Sequence, residues 1–298
     1  MKKIQLTCAH AIVKYLISQK ILVDGKKLPL FAGAFGIFGH GNVACLGQAL
    51  EENKKELPTW RGHHEQNMAL TGIAFSRAKR RKQIFVATSS VGPGSTNMLT
   101  AAAVAMSNRL PMLFLPGDTY ANRMPDPVLQ QVEHFNNPNI TQNDAFKYVT
   151  RYFDRITRPE QILQTFPQAI QTMIDPADCG PACISLSQDV QGETFDYPEE
   201  FFNEKIHTIR RPRPDDYQIK QAADLIKKSK NPIIISGGGI FYSDAMKELS
   251  QFAKKHNIPT AQTVMGYSTM KKDDPYFLGA IGGFGGKAPN NFMKKTDL

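Results

Sequence analysis

The stretch 83–108, QIFVATSSVGPGSTNMLTAAAVAMSN, predicts a short buried strand, a glycine-rich loop and a helix in immediate succession. The same alternation continues in both directions along the chain. Further short apolar strands are predicted at 34–38, 59–61, 110–118 and 180–189, and helices at 7–19, 43–52, 65–80 and 158–175. Strands of this kind, separated by helices, indicate a parallel sheet covered on both faces, so we predict an α/β fold with a doubly wound parallel sheet.

The chain is long enough for two domains. We predict a first α/β domain over 1–189 and an interdomain linker over 190–214, which lacks either hydrophobic period and holds Pro198, Pro212 and Pro214. A second α/β unit is predicted from 215, with the order helix, strand, helix, strand up to about 263. One further helical start and no closing strands are visible after it. We therefore expect the chain to be an N-terminal piece of a longer polypeptide, with an incomplete second domain at 215–298.

Composition limits the function classes. The chain has 36 Lys and Arg against 27 Asp and Glu, a formal net charge of +9, but these charges are scattered and no nucleic-acid motif accompanies them. No apolar run approaches the roughly 20 residues that span a bilayer. The four cysteines form no C-x-x-C pair. We expect a cytoplasmic protein with reduced cysteines that binds neither nucleic acid nor membrane.

Several familiar sites are disfavoured by spacing. The stretch 236–241, SGGGIF, is not G-x-G-x-x-G and is more typical of a tight turn. Ser95 lies outside a G-x-S-x-G pattern, and we expect it to cap the following helix. His63, His64 and Glu65 are adjacent in sequence rather than four residues apart, so they do not predict a metal site on one helical face.

Glu65 is the residue that needs an explanation, because it opens a helix directly after a strand. The simplest interpretation is that it complements the helix macrodipole, which contributes ~0.3–1 kcal/mol. However, loops at the carboxyl ends of parallel strands meet at one rim, so four loops should face a common crevice: 39–43, 61–66, 89–97 and 116–119. Glycines in these loops would let a flat ring approach the backbone.

The motifs FGHGNV, HEQNMA, TSSVGPGSTN, LPMLFLPGD and GPACISLSQDV occur in this order and together resemble the pyrimidine-binding domain of thiamin-diphosphate enzymes of the acetolactate synthase type. The part from 215 resembles the start of their central, Rossmann-like domain. The resemblance covers essentially the whole chain, and the set of motifs is specific although each is weak alone. It implies thiamin diphosphate and Mg²⁺ as cofactors.

The resemblance also implies roles for individual residues. Glu65 matches the family glutamate that bonds N1' of the cofactor's pyrimidine and promotes the imino tautomer that takes the proton from C2. Gly92, Pro93 and Gly94 would shape the wall beside that ring. The candidates for contact with substrate are His40, Asn42 and Gln130. His40 could instead cap a helix at Asn42, and Gln130 could be a plain surface amide.

The family holds the diphosphate and the metal with a Gly-Asp-Gly motif that does not occur before Leu298. We therefore expect no metal ligands in this chain, and neither turnover nor tight cofactor binding by the 298 residues alone. Family geometry places the glutamate against a cofactor held by another subunit, so a homodimer or homotetramer is expected.

Three stretches, 126–133, 143–161 and 185–202, with the insertion VDGKKLPLFAG, resemble most a family member that hydrolyses a carbon–carbon bond of a cyclic 1,2-diketone in inositol breakdown. That is the function we expect. Two alternatives stay open: an acetolactate-synthase-like carboligase acting on 2-oxo acids, and a non-catalytic metabolite-binding subunit.

Overall fold

The computed structural model describes residues 2–125, 128–132, 134 and 136–298. These residues fall into two compact units, Met1–Arg210 and Arg211–Leu298. The first unit contains the seven-stranded sheet, and its elements in order are β1 (Lys3–Thr7), α1 (Cys8–Ser18), β2 (Gln19–Val23), β3 (Lys26–Pro29), β4 (Phe31–Gly36), α2 (Cys45–Glu52), β5 (Thr59–Arg61), α3 (Glu65–Ala78), β6 (Ile84–Thr88), α4 (Pro93–Thr96), α5 (Leu99–Ser107), β7 (Leu113–Phe114), β8 (Gly117–Asp118), β9 (Tyr152–Ile156), α6 (Ile162–Met173), β10 (Ala182–Ser187), β11 (Thr194–Pro198) and β12 (Lys205–His207).

The main sheet has the strand order β5-β4-β6-β7-β10-β8, with β9 also paired to β10, and every pairing in it is parallel. The predicted α/β fold with a parallel sheet is therefore confirmed. The chain moves from β4 to β5 on one side and then returns to place β6 on the other side of β4. This reversal creates a crevice at the carboxyl ends of β4 and β6, where ligands bind in open α/β sheets.

Burial explains why these segments became strands and helices. All five residues of β6 are buried, as expected for a central parallel strand covered on both faces. Helix α3 packs against β6 and against α5, where Ala101, Ala102 and Ala105 are fully buried. Small side chains let the two helices approach closely. This packing fixes the first residue of α3 relative to the loop after β6.

The start of the chain differs from the prediction. Thr7 does cap α1, since its Oγ1 accepts a 3.3 Å hydrogen bond from the backbone N–H of His10. Residues Lys3–Thr7, however, form a strand that pairs antiparallel with β11. The turn-rich stretch after α1 is a hairpin of β2 and β3 with Gly25 at a φ of 77°. The five residues KIQLT alternate polar and apolar side chains, as in a strand, but the run is short and its partner β11 lies far along the chain.

The expected linker 190–214 needs the same correction over its first part. Its residues include β11 and β12, which pair with β1 and β2, as well as 3₁₀ turns at Val190–Gly192 and Glu199–Phe202. Tyr197 on β11 is fully buried, and its hydroxyl donates a 3.1 Å hydrogen bond to the carbonyl of Pro159. Residues up to 207 therefore belong to the first unit, and the division into units falls at Arg210 and Arg211.

The second unit contains a parallel sheet of three strands in the order β13-β14-β15. Its elements are α7 (Asp216–Lys228), β13 (Ile234–Ser236), α8 (Gly238–Tyr242), α9 (Met246–His256), β14 (Thr260–Gln262), β15 (Phe277–Ala280) and α10 (Lys287–Met293). No strand was predicted after residue 263, so β15 corrects that expectation. The stretch SGGGIF opens the short helix α8 rather than forming a tight turn.

The region 119–146 holds Pro125, Pro127 and Pro138, and this pattern predicts loop with a short helix at about 128–133. The described part of the region is largely irregular. Residues 128–132 form turns and coil, whereas Glu133 lies outside the described residues, as do Asp126 and Pro127. A 3₁₀ helix does form at Gln142–Tyr148.

Two general expectations can be compared with the described part of the chain. None of its helices is long and apolar enough to cross a membrane. All four cysteines are free thiols. Burial raises the pKa of the Cys8 and Cys179 thiols to about 12, so these side chains serve as small apolar groups in the core.

Candidate functional site

The loops that follow β4, β6 and β8 meet at one rim of the main sheet. The backbone N–H of Val91 donates a 2.9 Å hydrogen bond to the carbonyl of His40, and the backbone N–H of Gly117 donates one of 3.0 Å to the carbonyl of Ser89. These bonds tie the loop after β6 to its neighbours on both sides. The common rim predicted from the strand pattern is therefore present.

Glu65 reaches this rim from the next strand along the sheet. It is the first residue of α3, and its side chain is half-buried. His64 is the N-cap residue of α3, with its Nδ1 accepting a 3.4 Å hydrogen bond from the backbone N–H of Asn67. The Oε2 atom of Glu65 accepts a 2.7 Å hydrogen bond from Nδ2 of Asn97. Glu65 thus has a specific side-chain partner in addition to the helix dipole.

The other carboxylate oxygen of Glu65 lies beside Gly94. A Cβ atom placed on Gly94 would lie 3.4 Å from Oε1 of Glu65 and 2.4 Å from Oγ of Ser90. A side chain at position 94 would clash with Ser90, so the absence of one lets the chain at Gly94 approach both Ser90 and Glu65 closely. This arrangement brings together two of the residues that the family resemblance assigned to the cofactor.

A cleft at the rim is formed by residues from the loops after β4, β5 and β6 and from the irregular region. Its lining comprises Ile37, Phe38, Gly39, Glu65, Ser90, Pro93, Gly94, Thr96, Asn97 and Gln130. Four of the residues singled out from the sequence therefore line one cleft. Two residues that the sequence reasoning missed, Ser90 and Asn97, lie within the same TSSVGPGSTN motif, so the motif itself was the available signal.

Gly92 explains how Gln130 reaches the cleft. Gly92 has a φ of 65°, and a Cβ atom there would lie only 1.7 Å from the backbone oxygen of Gln130. Only glycine permits so close an approach between the two segments. Gln130 itself has a φ of 66°, uncommon for a residue with a side chain. Its Oε1 comes within 3.7 Å of a Cβ position on Gly39, across the cleft.

The structure does not support Asn42 as a residue that contacts substrate. Asn42 is 2% exposed. Its Oδ1 accepts a 2.9 Å hydrogen bond from the backbone N–H of Gly39, while its Nδ2 donates bonds of 3.1 Å to the carbonyl of Ile37 and to Oγ1 of Thr88. The amide is already occupied in shaping the loop after β4, which corrects the prediction.

His40 is exposed and is not among the residues that line the cleft. The alternative interpretation, that it caps a helix at Asn42, is also wrong. Residues 40–44 form turns, and α2 begins only at Cys45, with Ala44 as its N-cap residue. The backbone carbonyl of His40 accepts the hydrogen bond from the backbone N–H of Val91, and this bond holds the loop after β4 against the loop after β6.

Ser95 does not cap α5, contrary to the prediction. It lies within α4, fully buried, and its hydroxyl donates a short hydrogen bond to Oδ1 of Asn143. Asn143 in turn donates bonds of 2.9 Å to the carbonyl of Gly117 and 2.7 Å to Oγ of Ser185. The loop that carries Gly94 is therefore anchored to buried polar groups of the sheet.

This anchor continues to an ion pair beneath the rim. Asp118 is fully buried and accepts a 2.8 Å hydrogen bond from Nε of Arg155 and a short one from the Ser185 hydroxyl. Arg155 also donates a 2.9 Å bond from Nη2 to Asp144. Burial acts to raise the pKa of Asp144, but hydrogen bonds from Lys147, the Thr141 backbone and Arg155 outweigh it and hold that pKa below its usual value.

The cleft fits the pyrimidine end of thiamin diphosphate better than its charged end. A carboxyl group next to a glycine in the lining of the cleft suits a flat, nitrogen-containing ring. Among the residues that the structure describes, no group of three or more His, Cys, Asp and Glu side chains is placed to hold a metal ion. The residues at the rim would therefore bind the ring. That a Gly-Asp-Gly motif holds the diphosphate and the metal stays a prediction.

Comparison with known families agrees with this geometry. Residues 31–138 match the N-terminal TPP binding domain of thiamine pyrophosphate enzymes, and residues 219–298 match the central domain of the same enzymes. Thiamine pyrophosphate is another name for thiamin diphosphate. The first match contains Glu65, Gly92, Gly94 and Gln130.

Curated relatives are similar over the whole chain. The chain is 48% identical over 298 residues to a protein of Clostridium tetani and to one of Geobacillus thermodenitrificans, and 47% identical to one of Bacillus cereus. Each of these is named 3D-(3,5/4)-trihydroxycyclohexane-1,2-dione hydrolase. The similarity covers 100% of this chain but 46%, 47% and 46% of the three relatives. The chain thus spans about half the length of the curated relatives it matches.

Proposed function

Because the chain belongs to the thiamine pyrophosphate enzymes and carries their N-terminal and central domains, we propose that it forms part of a hydrolase that opens the ring of 3D-(3,5/4)-trihydroxycyclohexane-1,2-dione. The observation that supports this most is the identity of 47–48% across all 298 residues with hydrolases of that name. The proposed product is 5-deoxy-glucuronate, in a step of myo-inositol degradation. Thiamin diphosphate and Mg²⁺ are the proposed cofactors.

Glu65 is the residue that we assign to the cofactor's pyrimidine. Its Oε1 lies next to the Cβ position of Gly94 in the lining of the cleft, where a carboxyl group can exchange a proton with a ring nitrogen. When bound, thiamin diphosphate supplies a carbon nucleophile and an electron sink for cleavage next to a carbonyl group. Glu65 contributes by holding a proton at Oε1 and releasing it to the ring, while Pro93 and Gly94 keep the ring in place.

Gln130 is the substrate candidate that the geometry favours. Its side chain lines the same cleft as Glu65, with Oε1 3.7 Å from the Cβ position of Gly39. A side-chain amide can both donate and accept, which suits ring hydroxyl groups. A site that bonds such hydroxyls rejects an analogue without them by a large factor, because its polar groups are left unpaired.

The remaining features of the proposal come from family likeness. The hydrolase would act as a homodimer or homotetramer in the cytoplasm, on a small cyclic diketone, without nucleic acid or membrane as a partner. The diphosphate and Mg²⁺ would be held outside the residues of this chain.

The direct test supplies the complete enzyme, loaded with thiamin diphosphate and Mg²⁺, with either the trihydroxylated dione or pyruvate. We expect the dione to disappear with uptake of one water, giving one aldehyde and one carboxylate. Acetolactate formed from pyruvate, with the dione left intact, would assign the protein to the carboligases instead. Binding of the dione without turnover would indicate a non-catalytic subunit.

A further inference from the structure

The two carboxylate oxygens of Glu65 have different surroundings. Oε2 accepts a 2.7 Å hydrogen bond from Nδ2 of Asn97. Oε1 lies 3.4 Å from the Cβ position of Gly94, a residue that lines the cleft. A side-chain NH₂ group can only donate, so the oxygen that faces it must present a lone pair.

From this asymmetry we propose that Asn97 is a positioning residue that keeps the acid proton of Glu65 on Oε1. A protonated carboxyl carries its hydrogen on one oxygen only. If that oxygen were Oε2, Asn97 could bond only to a hydroxyl oxygen, which is a weaker acceptor than the carbonyl oxygen of the same group. With the proton on Oε1, the hydrogen bond from Asn97 is kept. The proton then faces the cleft.

The same contact serves the ionised state. When Glu65 gives up its proton, the carboxylate keeps a charge-assisted hydrogen bond from Asn97 on Oε2. That bond also restricts rotation about the last side-chain torsion, so Oε1 returns to the same place to take the proton back. Asn97 therefore acts through Glu65, without touching the ring or the substrate.

Asn97 is well placed for this role because its backbone is held rigidly. It is the C-cap residue of α4, and its backbone N–H donates a 3.1 Å hydrogen bond to the carbonyl of Pro93. Ser95, in the same short helix, is bonded to the buried side chain of Asn143. The Asn97 side chain is therefore carried by a helix that is bonded to the sheet through Ser95 and that forms part of the cleft wall through Pro93.

This inference rests on the proposed role of Glu65 toward thiamin diphosphate, so the test separates the two. The first measurement needs neither cofactor nor turnover: the side-chain amide protons of Asn97 are followed by NMR in the 298-residue chain labelled with ¹⁵N-asparagine. We expect these protons to exchange slowly with solvent. In Glu65→Ala the exchange should become faster and the signals should move. Unchanged signals in that variant would overturn the inference.

The second measurement is hydrogen–deuterium exchange at C2 of thiamin diphosphate bound to the complete enzyme, with no substrate present. We expect Asn97→Ala to slow the exchange by about 10- to 100-fold, the range for loss of a hydrogen bond to a charged group. The dissociation constant of the cofactor should change much less. Asn97→Asp, of the same shape, should also slow the exchange, because two facing carboxyls share a proton between them and draw it away from Oε1.

Asn108→Ala is the matched control, since it also removes an asparagine at a helix C-cap, whose Nδ2 donates a 2.8 Å hydrogen bond to the carbonyl of Val104 in α5. It should leave the exchange rate unchanged. A wild-type rate in Asn97→Ala, with a slow rate in Glu65→Gln, would overturn the role of Asn97 and keep that of Glu65. If C2 exchange ran at the wild-type rate in both Asn97→Ala and Glu65→Gln, the proposed role of Glu65 would be wrong as well.

Discussion

Nδ2 of Asn97 lies 2.7 Å from Oε2 of Glu65, although the two residues are 32 positions apart in the sequence. They follow β5 and β6, which do not touch each other, because β4 lies between them in the sheet. The contact therefore bridges the point at which the chain reverses its direction across the sheet. The loop after β4, with Gly39, closes the third side of the same cleft. A doubly wound topology thus brings three separate loops onto one carboxyl group.

The contact between Gly92 and Gln130 gives a first prediction. Gly92→Ala would place a Cβ atom 1.7 Å from the Gln130 backbone oxygen, so the segment around Gln130 must move. Gly25→Ala is a matched control, since Gly25 has a similar φ of 77° and nothing within 4 Å of its Cβ position. Both variants should lose about 1–2 kcal/mol of unfolding free energy through backbone strain.

Gly92→Ala should lose a further ~1–3 kcal/mol through overpacking. Urea unfolding of both variants measures the difference, and limited proteolysis should show faster cleavage near 130 only in Gly92→Ala. Equal losses of stability in the two variants would contradict the contact.

The buried ion pair gives a second prediction. Arg155→Met leaves the fully buried Asp118 without its 2.8 Å cationic partner. Removing one member of a buried pair typically costs ~3–5 kcal/mol of unfolding free energy, because the remaining charge has lost its compensation. Arg158→Met is the control, since Arg158 is exposed and its 2.6 Å ion pair with Glu160 lies at the surface. Its loss should change the unfolding free energy far less, because water already screens an exposed pair.

Chemical denaturation measures both changes. A loss of less than about 1 kcal/mol in Arg155→Met would mean that Asp118 gains no stability from the pair. Since Asp118, Ser185 and Asn143 lead on to Ser95, we also expect this variant to loosen the loop that carries Gly94.

Much of the first unit could be predicted from the sequence, because its signals are local. The strand at Thr59–Arg61 and the helix that begins at Glu65 lie where the periodicity placed them. The common rim followed from the parallel sheet alone. The strand Lys3–Thr7 was missed, because its alternating pattern is only five residues long and its partner β11 is distant in the sequence.

The sequence allowed the motifs that form the site to be predicted, but not the contacts between their side chains. The glycine-rich motif 89–97 identified the wall, but no property of Asn97 in the sequence shows that it reaches Glu65. Asn42 illustrates the opposite error. A polar residue in a rim loop can either bind substrate or hold the loop in shape. The three hydrogen bonds of the Asn42 side chain, within the loop and to β6, show that it holds the loop.

A pH dependence is expected from His207. Burial, with a smaller effect of Lys205, lowers the pKa of this imidazole from 6.5 to about 4. Its Nε2 donates a 2.9 Å hydrogen bond to Oε1 of the buried Gln19. Above about pH 6.5 the imidazole is neutral in the folded and the unfolded chain alike. Between about pH 6.5 and 4 only the unfolded chain takes up the proton, so stability falls as the pH falls.

The fall attributable to His207 should reach about 3 kcal/mol at most by pH 4. Urea unfolding at several pH values between 7 and 4 measures it. His207→Gln can keep a donor toward Gln19 and has no proton to gain, so its stability should fall less steeply over this range. His256→Gln, at an exposed site, controls for the loss of one histidine. Parallel curves for wild type and His207→Gln would contradict the prediction.

We propose that Glu65 holds and releases the proton that activates a bound thiamin diphosphate. The direct test is hydrogen–deuterium exchange at C2 of the cofactor bound to the complete enzyme, with Mg²⁺ and without substrate. Glu65→Gln keeps an acceptor for Asn97 but cannot share a proton, so exchange should slow by ~10²–10⁴-fold. Glu56→Gln, at an exposed site, should exchange at the wild-type rate. Wild-type exchange in Glu65→Gln, with the cofactor bound, would contradict the claim and leave Glu65 as a partner of the helix dipole alone.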